Sequence, residues 1–357
     1  MPTLCKVSQD PLIFHSYNFG HIYTPVKQLA PYIRKGKNIH IVLTINMSIR
    51  PQKKIERLAE EYHKYARQYP WIIVTVLANE PEELELLRAH GVRSELCNQN
   101  CLIDERCYTI RQVEKKYDAI SNSRMAPYKR LELLSRVENC ALLTYFLDPS
   151  DYEYEKLILP HAGGESAACP NLICPQFDGK AWQWFDNDKI CEMLSASRCG
   201  IIASAQEGAC FAAVEYLLCG LPVVTTPNIG GRDAMFDKDY VIWADPDPDA
   251  IAEAVKKAMA LPITPQEIRS RTIAKMRKGR EIYCGILDAI AREEGVERHF
   301  LADWDSFYVN KMMNNLSEKE AVSYLNASGV ETHYSLLHRL HNLHRAFKHY
   351  LKYRSMK

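Results

Sequence analysis

The sequence predicts an α/β protein with two doubly wound, parallel-sheet halves followed by a helical tail. Three observations carry this expectation. Short β-branched runs such as IHIVLTI (39–45), WIIVTVL (71–77) and CALLTYF (140–146) alternate with stretches of helical spacing. The alternation breaks over 101–117, restarts, and gives way to helical segments alone from about 263. The length of 357 residues matches about two ordinary domains.

The elements follow in order. PLIFHS (11–16) is a strand, and TPVKQLAPYIRKG (24–36) has helical spacing and ends at Gly36. The strand IHIVLTI precedes the helix PQKKIERLAEEYHKYARQY (51–69), where Pro51 suits a first helical turn. WIIVTVL leads into the helix EPEELELLRAHG (80–91), and SELCNQN (94–100) supplies a fourth strand. After the linker come YDAISNS (117–123), a helix near 129–138, CALLTYF, NLICPQ (171–176) and a helix near 188–196. CGIIAS (199–204), a helix near 207–219, PVVTT (222–226) and YVIWAD (240–245) complete the second series. PDAIAEAVKKAMA (248–260) is a helix with Asp247 as N-cap and Pro248 at its first position. The expected architecture is two Rossmann-like domains, 1–110 and 111–290, facing a cleft, with a helical tail over 291–357. In such sheets ligands bind at the carboxyl ends of the strands.

Composition narrows the function classes. The formal net charge is +1, so no bulk field draws polyanions, nucleic acid is not an expected partner, and any anion site is local. No apolar run approaches the roughly 18 residues of a membrane span, and the N-terminus lacks a basic stretch followed by an apolar one, so no leader is expected. The twelve cysteines form no C-x-x-C pair, and several, such as Cys210 and Cys219, fall in apolar segments. They are read as reduced, buried thiols of a cytoplasmic protein, and no metal site is expected from them.

Four constellations carry candidate chemistry. Glu207 and Glu215 lie eight apart in SAQEGACFAAVEYLLCGLPVV (204–224). Ser204-Ala205-Gln206-Glu207 has the spacing of a capping box, which explains Glu207 locally. Glu215 sits among Val214, Tyr216, Leu217 and Leu218, so its carboxylate needs solvent, a structural partner or a polar ligand. Arg124, Lys129 and Arg130 cluster in NSRMAPYKRLELL (122–134), where a strand gives way to a helix. Cations at a helix N-terminus oppose the macrodipole, and a bound anion answers both the dipole and the side chains. In TTPNIGGRD (225–233), Gly230 and Gly231 permit close backbone approach and an anion-binding nest, or a plain turn. Finally, the triplets Asp186/Asp188, Asp245/Asp247 and Asp303/Asp305 have a spacing that can hold a divalent cation against a diphosphate, although Asp247 and Asp186 or Asp188 also fit helix N-caps.

Together these residues resemble the retaining glycosyltransferases of group 1, which have the GT-B fold. The resemblance rests on Glu207-x7-Glu215 followed by CGLPVV and NIGG, and on Arg124 and Lys129 five apart with a proline between. FGHIYTPVKQLAPYIRKGKNIHIVLT (19–44) resembles the family's N-terminal loop, first helix and second strand. The likeness is specific over about 117–260, loose over 11–100, and fades beyond about 295. It implies a nucleotide-diphosphate sugar as co-substrate, with no other cofactor and no metal. It implies that Glu215 binds the ribose hydroxyls and that Glu207 bonds hydroxyls of the transferred sugar, helped by backbone N–H groups of Gly208, Ala209, Cys210 and Phe211. Gly230 and Gly231 belong to the same donor site. Arg124 and Lys129 hold the diphosphate as it leaves, where fixed cations meet growing negative charge without reorganisation. Gly20 and His21 fall on the acceptor side. Three departures stand out: Ala209 and Cys210 replace an aromatic or Leu followed by Gly or Pro, the usual glycine pair near the first strand is reduced to Gly20, and LANEPEEL (77–84) offers no counterpart to a family histidine.

The tail HYSLLHRLHNLHRAFKHYLKYRSMK (333–357) has no acidic residue and places Leu336, Leu340, Leu343, Phe347 and Leu351 on one helical face. Docking on the chain's own surface is the simpler reading; peripheral contact with anionic lipid is the other. The expected function is transfer of a sugar to a saccharide or glycolipid acceptor by a cytoplasmic protein that can work at a membrane surface. The rivals are a metal-dependent glycosyltransferase using the D-x-D triplets, a nucleotide-sugar epimerase on the same scaffold, and a non-catalytic nucleotide-sugar-binding protein.

Overall fold

The structure is a computed structural model that describes residues 4–18, 26, 29–30, 33–35, 37–147, 149–158, 171–173, 176–177, 182–183, 185–307 and 316–332. Contacts among the described residues define two compact units. The first runs up to Cys97 and resumes at Glu281; the second is Asn98–Arg280. The residues from Glu281 on, read from sequence as the end of the second domain and a tail, therefore group with the first unit.

The first unit opens with β1 (Leu4–Gln9) and β2 (Leu12–Asn18), followed by β3 (Ile33–Lys35), β4 (Ile39–Ile45), α1 (Gln52–Gln68), β5 (Ile72–Ala78), α2 (Pro81–Ala89) and β6 (Ser94–Leu96). The sheet order is β1-β2-β4-β5-β6, with β1 antiparallel to β2 and the remaining pairs parallel. Every residue of β4 is buried, as expected of a central parallel strand covered on both faces. Ile55, Leu58, Ala59 and Tyr65 of α1 are buried at helical spacing. The stretch 33–35, expected as the end of a helix, is instead the strand β3.

The second unit contains β7 (Tyr117–Arg124), β8 (Cys140–Tyr145), α3 (Pro149–Ile158), β9 (Asn171–Ile173), the short hairpin β10 (Gln176–Phe177) and β11 (Trp182–Gln183), α4 (Asn187–Ser195) and β12 (Ser197–Ile202). It continues with α5 (Phe211–Leu218), β13 (Val223–Thr225), β14 (Val241–Trp243), α6 (Pro248–Met259) and α7 (Pro265–Glu293), which spans the division at Arg280. Beyond it lie α8 (Trp304–Phe307), α9 (Glu318–Ala327) and β15 (Glu331–Thr332). β15 pairs antiparallel with β3, so the segment expected to be wholly helical also supplies a strand.

The second sheet has the order β14-β13-β12-β7-β8-β9, all parallel. The chain builds outward from β7 through β8 to β9, then returns to the other side of β7 and builds outward again from β12. The topological switch point therefore lies between β7 and β12, where open α/β sheets bind ligands. Ile251, Ala254, Val255 and Ala258 of α6 pack with Ala119, Leu142, Cys199, Ile201 and Val224 of the strands. Gly200 lets α5 approach the sheet, since a Cβ there would run into the ring of Tyr216. No helix among the described residues is long and apolar enough to cross a membrane.

Candidate functional site

The loops that follow β7, β12 and β13 carry the candidate residues of the second unit. Arg124 ends β7, Lys129 lies in a short 3₁₀ turn, Pro127–Lys129, and Glu207 lies in the loop after β12. Gly230 and Gly231 follow β13. Because the three strands are parallel and adjacent, their carboxyl ends share one sheet edge. The loops are tied together there. Ala205 N donates to Tyr128 O at 2.8 Å, Glu207 N to Ile229 O at 3.0 Å, and Ile229 N to Ala205 O at 3.0 Å. Gly230 has φ 121, in the region that favours glycine, and opens a 3₁₀ turn over Gly231–Met235.

Both cations are held by carboxylates. Lys129 Nζ bonds Glu207 Oε1, and the two side chains are almost wholly buried. Burial alone would lower the Lys129 ammonium; the adjoining Glu207 carboxylate outweighs it and holds Lys129 well above its ordinary value, firmly protonated. Arg124 grips Asp151 through Nε (2.9 Å to Oδ2) and Nη2 (2.8 Å to Oδ1). Glu215, in the second turn of α5, accepts from Asn122 Nδ2 at 2.9 Å and is hydrogen-bonded to the Tyr108 hydroxyl. Burial pushes its carboxyl up to about 7, against the pull of those two bonds. The structure thus brings Arg124, Lys129, Glu207 and the Gly230–Gly231 turn to one edge, with Glu215 reaching the end of β7 through Asn122.

Three local expectations are corrected. No α-helix occupies 129–138; the chain forms two 3₁₀ turns, separated by Arg130 in the left-handed region at φ 51. Arg130 is not part of an open anion cluster: its Nε donates to Ala203 O at 2.6 Å and its Nη2 to Thr226 Oγ1 at 2.7 Å, stitching two loops. Nor do Ser204 and Glu207 form a capping box, because α5 begins only at Phe211 and its N-cap is Cys210, at φ 58 and ψ 86. Gly208, Ala209, Cys210 and Phe211 form the connection into this helix, and burial pushes the Cys210 thiol up to about 12, so it stays protonated. Asp186 and Asp247 serve as N-caps, accepting from Lys189 N and from Asp249 N and Ala250 N. Gly20, His21 and the stretch 333–357 lie outside the described residues.

Sequence reasoning missed three supports of the site. Asn98 Nδ2 donates to Gly231 O and Asn100 Nδ2 to Ala209 O, each at 2.6 Å, so two amides from one turn hold both glycine-bearing loops. The doubled asparagine in CNQN (97–100) was the available signal, but it reads equally as the end of a strand. Arg232 is fully buried, donates to Thr226 O at 2.7 Å and to Asp233 Oδ1 at 2.7 Å, and packs near the rings of Phe236 and Trp243. It ties the segment after Gly230 and Gly231 to the backbone at Thr226 and Ser204.

Residues 178–278 match the family described as "Glycosyl transferases group 1". A stretch of 87 residues is 31% identical to a phosphatidylinositol N-acetylglucosaminyltransferase subunit of Arabidopsis thaliana; it covers 24% of this chain and 19% of that protein, so the chain matches under a fifth of that relative's length. Among solved structures, sucrose-phosphate synthase from Thermosynechococcus elongatus is similar at 15% identity and a TM-score of 0.51, over 79% of this chain and 72% of that one. Anabaena Alr3699/HepE, solved in complex with UDP, is similar at 14% identity and a TM-score of 0.51, over 71% of this chain and 72% of that one. The N-terminal domain of a Candida albicans trehalose-6-phosphate phosphatase is similar at 12% identity and a TM-score of 0.53, over 80% and 70%. At these identities the structural likeness speaks for the fold. The matched segment holds Glu207, Glu215, Gly230 and Gly231, and over it the chain is similar to the glycosyl transferases group 1; its fold is GT-B, with two Rossmann-like domains.

Proposed function

We propose that the chain is a retaining glycosyltransferase that moves a sugar from a nucleotide-diphosphate sugar to a saccharide or glycolipid acceptor. One observation carries the reading: two cations, Arg124 and Lys129, and the carboxylate of Glu207 meet at the sheet's switch point, with Glu215 hydrogen-bonded to the strand that ends there. Such a site suits a ligand with a diphosphate at one end and hydroxyl-rich rings around it. Glu215 accepts from the ribose hydroxyls, and Glu207 accepts from hydroxyls of the transferred sugar. Backbone N–H groups of Gly208, Ala209, Cys210 and Phe211, with the Gly230–Gly231 turn, line the donor. As the glycosidic bond breaks, negative charge builds on the leaving diphosphate, and Arg124 and Lys129 are already in place to meet it. Loss of one such fixed contact costs roughly 3–4 kcal/mol of transition-state stabilisation. These two side chains supply the positive charge for which other enzymes recruit a divalent ion, so turnover is expected to survive EDTA.

The name of the Arabidopsis relative pairs an N-acetylglucosaminyl donor with a lipid acceptor. That supports screening N-acetylglucosamine nucleotides first and supports an acceptor of glycolipid type, with the basic stretch 333–357 as the segment to bring the protein to such a surface. The test is a screen of UDP-, GDP- and ADP-sugars with mass detection of released nucleoside diphosphate and of glycosylated product, followed by assignment of the product anomer. Release of nucleoside diphosphate together with a glycosylated product is expected, in EDTA as well as without it. If no donor is consumed and no nucleoside diphosphate shifts the melting temperature, the reading fails.

A further inference from the structure

The carboxylate behind Arg124 belongs to one short helix. Asp151 of α3 is fully buried, and its carboxylate takes three contacts from the Arg124 guanidinium: Nε at 2.9 Å and 3.1 Å, and Nη2 at 2.8 Å. The same carboxylate accepts from Leu147 N at 2.7 Å, just ahead of the helix. Asp151 lies in the first turn of α3, where negative charge is favoured by the helix dipole. Three residues on, and hence on the same face, the Tyr154 hydroxyl accepts from Leu131 N at 2.8 Å and bonds Glu132, directly after the turn that bears Lys129. Phe146 and Tyr152 stack at 4.6 Å between ring centres, pinning the start of the helix to the end of β8. The helix therefore braces the Arg124 head group and the 3₁₀ turn Leu131–Leu134, which follows Lys129 and Arg130, at once.

On the reading of the site given above, we infer that Asp151 is a positioning residue for sugar transfer: it fixes the plane of the Arg124 guanidinium so that the cation meets the leaving diphosphate without searching for its orientation. Surface ion pairs contribute little, but this pair is different in kind. A planar fork bonded along one edge by a buried carboxylate has its remaining orientations removed. Arg124 keeps 20% of its side chain exposed while Asp151 keeps none, so the partner sits on the inner side of the cation.

The test is a cycle of Asp151→Asn and Arg124→Ala, read by release of nucleoside diphosphate from the donor found in the screen, by calorimetric titration with UDP, GDP and ADP, and by thermal melting. Asp151→Asn is expected to lower kcat on the order of tenfold to a hundredfold, with donor KM within about threefold of the parent, measured below a melting temperature that the loss of the buried pair lowers. In the Arg124→Ala background the same substitution is expected to change kcat by less than about twofold, because Asp151 acts only through Arg124. An equal loss in both backgrounds, or no loss in the parent, overturns the inference. If Arg124→Ala abolishes turnover while Asp151→Asn leaves it intact, this inference alone fails; if Arg124→Ala leaves turnover intact, the reading of the site fails with it. Should the Asn variant not fold, Asp151→Glu keeps the anion and shifts it by one methylene. It carries the same expectation of lowered kcat at near-constant KM, and parental kcat in that variant overturns the inference.

Discussion

Glu215→Gln separates what Glu215 costs the fold from what it does for a ligand. Burial lifts this carboxyl from 4.5 to about 7. Between those values the folded chain still holds a proton that the unfolded chain has released. The associated stability is therefore intact below about pH 4.5, declines through the window from 4.5 to about 7, and is lost above it. At about 1.4 kcal/mol for each pH unit of that gap, the penalty is bounded at about 3.5 kcal/mol. Glu215 is only half-buried by its surface area, so screening brings the expected value to about 1–2 kcal/mol. In a unit of this size about 1 kcal/mol moves the melting temperature by about 2–4 °C. Glu215→Gln should accordingly melt about 3–5 °C above the parent at pH 8, with most of that gain gone at pH 5. Titration with UDP, GDP and ADP supplies the other half. A neutral amide is a poorer acceptor for the ribose hydroxyls, so affinity for the preferred nucleotide should fall about tenfold, a loss of about 1.4 kcal/mol. A melting difference that does not change between pH 5 and 8 would refute the electrostatic argument, and unchanged affinity would refute the role in nucleotide binding.

Other substitutions probe the same unit. Lys129→Ala leaves Glu207 buried without its cation and should cost about 3–5 kcal/mol in chemical denaturation; Lys129→Ala with Glu207→Gln should regain most of that stability without regaining turnover. Cys210→Gly relieves a left-handed backbone position, φ 58, and should stabilise the chain by up to about 1 kcal/mol with nucleotide affinity unchanged, measured by melting and titration. Gly220→Ala should lower stability by about 2 kcal/mol or more, because φ there is +77 and a Cβ would stand 2.5 Å from Pro265 Cβ and 2.8 Å from Pro265 O.

The central strands and well-capped helices were legible because their signals are local. β4 and β5 are short runs rich in Ile, Val and Leu, and α6 announces itself through Asp247 and Pro248. What failed was decided at a distance. β1 carries Lys6 and Gln9 on a short edge strand, and only pairing with β2 makes it extended. Ile33–Lys35 has helical neighbours in sequence but pairs with Glu331–Thr332, which no local window can see. KRLELL (129–134) has good helix formers, yet Arg130 is fixed in a left-handed turn by carbonyls near 203 and 227. Glu207 has the spacing of a cap and is taken instead by Lys129, 78 residues earlier. The eight-residue interval between Glu207 and Glu215 could be read directly. Asp151, Asn98 and Asn100 could not, because nothing in their own neighbourhoods indicates which loop each will hold.

The paired hydrogen bonds that join Ala205, Glu207 and Ile229 also bear on redesign. Two loops sharing a rung behave as one wall, so altering one of them drags the other. A graft of either loop from a relative with another sugar preference would arrive without its mate and spoil the register of both. On the proposed donor role, sugar preference should change only when 203–210 and 226–231 are exchanged together, which makes the two loops a single unit of inheritance for engineers and for divergence alike.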